Sequence, residues 1–143
     1  MTTAIFPGSY KSLHPIREFV VKAATQAGFD EAGVYAVELA VDEACSNIIE
    51  HAYRGESKGE IFCTHQIRED SLVIVLKDHG QRFDPDSIPE PNFSPHLEDL
   101  KAGGAGLFLM RKMMDEVRFE FDENGNTLTM VKYRPTAAGK IPG

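Results

Sequence analysis

From Val34 onward, apolar residues return at three- and four-residue steps: Val34, Val37, Val41, Ala44 and Ile48. That spacing predicts one long helix with a core-facing side, running through Arg54 and stopping near Gly55. Asp30 stands just before its start. Upstream, TAIFPG reads as a short strand ending at Pro7 and Gly8. Ser12 reads as the N-cap of a first helix over about Leu13 to Gln26, with Pro15 near its first turn and Gly28 just past its end. Downstream the period changes. GEIFCTHQIR and SLVIVLKD alternate or run apolar with β-branched residues, and Glu69-Asp70 sits between them, which predicts a β-hairpin. VRFEFDENGNTLTMVKY predicts a second hairpin, turning around Asn124-Gly125-Asn126. Between the hairpins, His79 to Ala102 holds Pro85, Pro89, Pro91 and Pro95 and little periodicity. It reads as a long loop with one short helical turn, followed by a helix over Gly104 to Met114. A loop of that length inside a compact domain tends to be functional. No repeat or domain boundary interrupts the pattern, so residues 1–135 form one domain and 136–143 a disordered tail. The element order predicts an α+β two-layer sandwich, helices on one face of a mixed, mostly antiparallel sheet.

Composition narrows the function classes. The 143 residues are 42% hydrophobic and 26% charged, which suits one globular domain with one core. A formal net charge of -7 argues against nucleic acid as the main ligand, since phosphate contacts demand a basic surface. No apolar run approaches a membrane span, and MTTAIFPGSY lacks the basic-then-apolar order of a signal peptide. The two cysteines, Cys45 and Cys63, make neither a disulfide framework nor a zinc-site spacing. They read as small buried or half-buried groups of a protein in a reducing cytoplasm.

Three segments carry candidate chemistry. On the long helix, Glu43 and Asn47 stand four apart and stack one turn above the other, with His51 a further turn along and Arg54 seven after Asn47. A carboxylate there can accept a proton or orient a nucleophile, and a carboxamide oxygen can ligate a hard cation such as Mg²⁺. Such a pair alone is more often a solvated helix face. His51 and Arg54 share that side; either can approach a bound anion, but a cap and a solvated head group are the simpler reading. The second segment is KDHGQRFDP, Lys77 to Pro85. Asp78 ends the strongest strand, and Gly80 allows a sharp turn or the close approach of a ligand. An acidic residue here can accept a hydrogen bond from an exocyclic amine such as that of adenine, although an Asp and a Gly in a turn are common without function. The third is GGAGLFLMRKM, Gly103 to Met113, glycines leading into a helix. The unpaired N–H groups and dipole of such a helix start suit phosphate; a hinge before a core helix is the plain alternative. No GxxxxGK[ST] occurs, and Gly104-Ala105-Gly106 lacks the third glycine of a dinucleotide fingerprint.

In this order, the three segments resemble the N, G1 and G2 boxes of the GHKL ATPases, relatives of gyrase, Hsp90, histidine kinases and MutL. The phrases LAVDEACSNIIEHAY, FDP and GLFLMRKMMDEV look like the anti-sigma-factor serine/threonine kinase branch. The resemblance spans about Leu13 to Tyr133. It implies the Bergerat fold, with ATP and Mg²⁺ in a pocket between the helices and the long loop. It makes Glu43 the catalytic carboxylate that activates a substrate hydroxyl, and Asn47 the Mg²⁺ ligand. Asp78 would recognise the adenine amino group and Gly80 would be the first G1 glycine. Gly104 and Gly106 would be the G2 glycines, with Ala105 between them and Leu107 completing the nucleotide-binding run. The chain departs from the pattern at Arg82, which stands where G1 has its second glycine; it is counted with the nucleotide contacts, a partner contact being the other option. The implied function is an ATP-dependent serine/threonine kinase that phosphorylates a STAS-type anti-anti-sigma partner and sequesters a sigma factor, in the cytoplasm. A homodimer through Phe19, Val20 and the first helix is compatible with the resemblance. A rival reading is a partner-binding module that uses nucleotide occupancy without turnover. A third, the catalytic fragment of a histidine kinase, finds no preceding dimerisation helix with a phospho-accepting histidine, and His14 before Pro15 does not supply one.

Overall fold

The computed structural model describes residues 1–83 and 106–135, with the side chains of 106–108 left aside. Strand β1 (Thr2–Pro7) leads through a short 3-10 turn, Tyr10–Ser12, into helix α1 (Leu13–Gln26). Helix α2 (Glu31–Asn47) follows and continues as a π-helical turn over Ile48–Ala52. Then come β2 (Glu60–Ile67), β3 (Ser71–Asp78), α3 (Gly106–Met113), β4 (Glu116–Asp122) and β5 (Gly125–Tyr133). The sheet order is β1-β2-β3-β5-β4, and each neighbouring pair is antiparallel. Thus the α+β sandwich is as expected, while the mixed sheet is antiparallel in all its described ladders.

Local chemistry explains the helix ends. Gly28 adopts φ +92, a conformation that costs a glycine little. There the Gly28 N–H donates to Thr25 O and the Phe29 N–H to Ala24 O, the paired bonds of a Schellman close. Asp30 caps α2, its Oδ1 accepting from the Gly33 N–H at 2.9 Å. Ser12 does not cap α1. Its backbone is already helical and its hydroxyl donates to Pro7 O at 2.6 Å, while Ser9 accepts from the Lys11 N–H and caps the 3-10 turn instead. The extra turn satisfies the first amides, so the serine is free to tie the helix back to β1.

Helix α2 is buried on more than one side. Val37, Val41, Ala44 and Ile48 face the core as their spacing predicts, with Val34 packed at its edge. Because α1 and α3 both pack against α2, Leu39, Glu43 and Asn47 are buried as well. Beyond its first turn, where Glu31 and Ala32 are exposed and Val34 is half-buried, solvent reaches mainly a stripe through Tyr35, Glu38, Asp42, Ser46 and Glu50. Ile16 and Val20 of α1 close the layer over Ile61, Leu72, Ile74, Leu76 and Met130 of the sheet. Val20 is fully buried and Phe19 packs on Phe6 and His65, with ring centroids 6.1 and 4.9 Å away. Both residues expected at a dimer surface therefore serve this packing. Cys45 and Cys63 are buried free thiols, and burial pushes Cys63 up to about 12. No helix among the described residues is long and apolar enough to cross a membrane.

Replacing Asp30 with alanine leaves the Gly33 amide to find water, and should lower the unfolding free energy by about 1 kcal/mol. Urea denaturation monitored by circular dichroism checks this; an unchanged midpoint would show that the cap contributes nothing.

Candidate functional site

The C-terminal end of α2, the end of β3 and the start of β5 meet at one edge of the sandwich. Between them lies a narrow cleft whose free volume is about 10 Å³, room for about one water molecule. Ala44, Asn47 and Ile48 of α2 form one wall. Leu76, Leu128 and Phe119 of the sheet form the floor, with Met110 of α3 and Phe83 closing the sides. The polar end holds Asp78 and Asn126, which stand directly opposite in the β3–β5 register.

Asp78 is 1% exposed, and its Oδ1 accepts from the Gly80 N–H at 2.8 Å and from Asn126 Nδ2 at 2.8 Å. Burial raises this carboxyl above its ordinary range, opposed by those two hydrogen bonds and the neighbouring His79. Asn126 Nδ2 also donates to Gln81 O at 2.9 Å. Both partners of that nitrogen are pure acceptors, so the orientation of the amide is fixed by its surroundings. Its Oδ1 is left buried without a hydrogen-bond partner. Asn47 Nδ2 is a second buried, unpaired group on the opposite wall. Native interiors rarely leave such atoms unsatisfied, so a pair of them at one cleft marks a place for a polar ligand or ordered water.

Of the residues expected from sequence, Asn47 and Asp78 line this cleft together. Glu43 is buried one helical turn before Asn47, at 9% exposure. Gly80 does not line it. A Cβ there would lie 2.6 Å from the Ala52 carbonyl group, so glycine lets the turn after β3 press against the end of the π-turn. Gln81 N–H donates to Ala52 O at 2.9 Å in the same contact. Arg82 is exposed and lies away from the cleft lining, its guanidinium 4.7 Å from the Phe121 ring centroid. His51 stacks beside Phe83 at 5.8 Å, and Arg54 adopts φ 57 and is exposed, outside the helix. Gly104 and Ala105, with the long loop from residue 84 on, lie outside the described residues. Gly106 and Leu107 open α3.

Sequence reasoning missed Asn126, Phe83 and Gly125 as site residues. Asn126 was hidden because its role depends on pairing across 48 residues. Gly125 carries φ +131, and a Cβ on it would fall 1.9 Å from the Asp78 carbonyl oxygen, so the Asn-Gly signal marks a packing requirement beside the site as well as a turn.

Comparison with known proteins agrees with this geometry. A family profile described as histidine kinase-like ATPase domain matches residues 6–132. The chain is 37% identical over 114 residues to the serine-protein kinase RsbW of Bacillus velezensis, covering 77% of this chain and 71% of that protein. To the protein of the same name from Bacillus subtilis it is 35% identical over 122 residues, covering 82% and 76%. The RsbU and RsbW domains of a Mycobacterium tuberculosis protein superpose with a TM-score of 0.62 at 16% identity, over 100% of this chain and 35% of that one. The catalytic domain of histidine kinase ThkA superposes with a TM-score of 0.55 at 16% identity, over 93% and 96%. At those identities the structural matches speak for the fold alone.

The raised carboxyl of Asp78 has a consequence for stability. Its folded value exceeds the unfolded one, so the cost of burying its charge is present above the folded value and is relieved below it. Asp78→Asn keeps an oxygen for Gly80 and Asn126 and removes the charge. The variant should equal or exceed the wild type in stability at neutral pH. That advantage should shrink as the pH falls into the carboxylate range. Urea titrations of both proteins across pH check this, and a gap that widens on acidification contradicts it.

Proposed function

The chain belongs to the histidine kinase-like ATPase family, and from that membership we propose that it is a serine/threonine protein kinase acting as an anti-sigma factor. Its substrate would be a STAS-type anti-anti-sigma protein, and its regulatory target a sigma factor. Such an exchange of partners belongs in the cytoplasm. The observation that carries the nucleotide part is the cleft itself, with Asp78 and Asn126 at one end and Asn47 on the helical wall.

Each group has a physical reason for its role. An adenine ring would lie between the apolar walls once they part to admit it, and its exocyclic amine has two N–H donors. The Asp78 carboxylate and the unpaired Asn126 Oδ1 are both acceptors beside that space. Guanine presents a carbonyl oxygen at the same ring position and would be repelled. Asn47 offers a carboxamide oxygen as a ligand for Mg²⁺, a hard cation. No cluster of three or more ionisable metal ligands occurs among the described residues, so phosphate oxygens and water would complete its shell. When bound, the cation neutralises phosphate charge as it develops in transfer.

The transfer itself asks little covalent chemistry of the protein. The seryl oxygen of the partner forms a bond to the γ-phosphorus while the bond from that phosphorus to the β–γ bridging oxygen breaks, and ADP leaves. Glu43 would orient the hydroxyl and take its proton. Gly104, Ala105, Gly106 and Leu107 would bring backbone N–H groups to the phosphates, as the start of α3 permits. Arg82 is assigned no nucleotide contact, because its guanidinium is held on Phe121.

The test is incubation with radiolabelled ATP, Mg²⁺ and a cognate STAS protein. Wild-type protein should label the partner on serine or threonine. Glu43→Ala should lose transfer by two orders of magnitude or more, in keeping with the removal of a general base at about 10²–10⁴-fold, while still binding ADP. Asn47→Ala should weaken Mg²⁺-dependent nucleotide binding by about tenfold or more, the worth of one charge-assisted contact. ADP binding without transfer by the wild type would favour a nucleotide-responsive binding module, and no nucleotide binding at all would remove both readings.

A further inference from the structure

The two halves of the cleft are joined through one side chain that neither the nucleotide contacts nor the transfer step uses. Tyr53 ends the π-turn, its N–H donating to Ile48 O at 2.9 Å. Its ring packs against two glycines, Gly8 and Gly59, which are themselves joined by the Gly8 N–H donating to Gly59 O at 2.7 Å. A Cβ on Gly8 would meet the ring at 3.2 Å and one on Gly59 at 2.3 Å, so both positions leave room for it. The hydroxyl donates to Glu60 O at 2.5 Å at the start of β2 and accepts from the His79 N–H at 3.0 Å. Burial pushes the phenol above its ordinary value, so it stays protonated and keeps the donor that Glu60 O requires.

His79 lies between Asp78 and Gly80, in the turn that presents the purine end of the cleft. Tyr53 follows within two turns of Asn47, at the end that presents the phosphate side. We propose that the Tyr53 hydroxyl is a positioning group for nucleotide binding, fixing the separation between Asn47 and the Asp78 turn. The proposal rests on the nucleotide reading above and adds to it a residue that touches no ligand. The ring is buried against Gly8 and Gly59 and its hydroxyl is bonded to Glu60 O, so its oxygen is a fixed point just past the π-turn to which the turn after β3 is tied. Losing that bond frees the His79 amide without emptying the space the ring fills.

Calorimetric titration of ADP into wild-type protein and Tyr53→Phe, at a temperature where both are folded, tests it. The phenylalanine keeps the packing against Gly8 and Gly59 and removes only the oxygen. The dissociation constant should rise by about three- to tenfold, the range of one lost hydrogen bond, and exchange of the His79 amide should accelerate. A merely structural tyrosine would shift the unfolding midpoint and leave the dissociation constant of the folded protein unchanged. ADP constants equal within about twofold would overturn the proposal while leaving the nucleotide reading intact. Failure of the wild type to bind ADP would overturn both. Should Tyr53→Phe not fold, hydrogen exchange in the wild type decides. The His79 amide should be protected, and more so with ADP present; exchange there at the free-peptide rate overturns the proposal.

Discussion

The contact on which the site depends is a backbone meeting a backbone. The turn after β3 presses against the last carbonyl of the π-turn, with Gly80 giving the room and Gln81 N–H the hydrogen bond to Ala52 O. Remove that approach and Asp78 no longer faces Asn47 across the cleft. A side chain at residue 80 would have to push the end of α2 off the sheet, where Ile48, Ile49 and Ala52 are buried. The first glycine of the G1 pattern therefore acts here through packing. It positions the residues that line the cleft without lining it itself.

The π-turn belongs to the same constraint. An extra residue per turn after Asn47 widens the helix just where the sheet edge comes near, and such turns recur at functional sites. It also ends the strict three- and four-residue period that holds from Val34 to Ile48. His51 consequently stacks on Phe83, which in turn meets Phe119 at 6.4 Å, and the helix closes through Arg54 and Gly55 in left-handed conformations. The aromatic contacts form an apolar wall beside Asn47, where the surrounding dielectric is low and polar contacts gain strength.

Helix α1, the start of α2 just after Asp30, both hairpins and the sandwich were legible from spacing and turn residues, because those features are local. Glu43, Asn47, Asp78 and Gly80 were legible as candidates for the same reason, each standing at a helical or strand-end position its chemistry suits. The failures share one cause. Ser12 does not cap α1 because the 3-10 turn before it already makes its backbone helical, and its hydroxyl is drawn to Pro7 O at the end of β1. Asn126 and Tyr53 owe their roles to contacts between β5 and β3 and between α2 and the following turns, which the order of residues does not reveal. Glu43 and Asn47, read as a polar face opposite the core, are buried because α2 is packed by α1 and α3 as well as by the sheet. One-dimensional periodicity reports that a face is apolar. It does not report how many neighbours a central helix has.

Arg82 shows how a departure from a family pattern can be accommodated. A glycine at this position would leave the segment free to move, at an entropic cost on binding that the ligand would have to offset. An arginine laid on Phe121 of β4 instead pins the segment against the sheet. The stretch from Asp78 to Phe83 is then held by Asn126 on one side, Ala52 and Tyr53 on another, and Phe121 at its end. An exposed cation–π contact is worth only about 0.5–1 kcal/mol, so it biases this arrangement without locking it. The Asp78 end of the cleft is thereby biased toward this arrangement in the folded chain. Part of the ordering that binding would otherwise have to produce is already built into the folded chain, and the contact that supplies it lies outside the cleft, where it takes no space from a ligand.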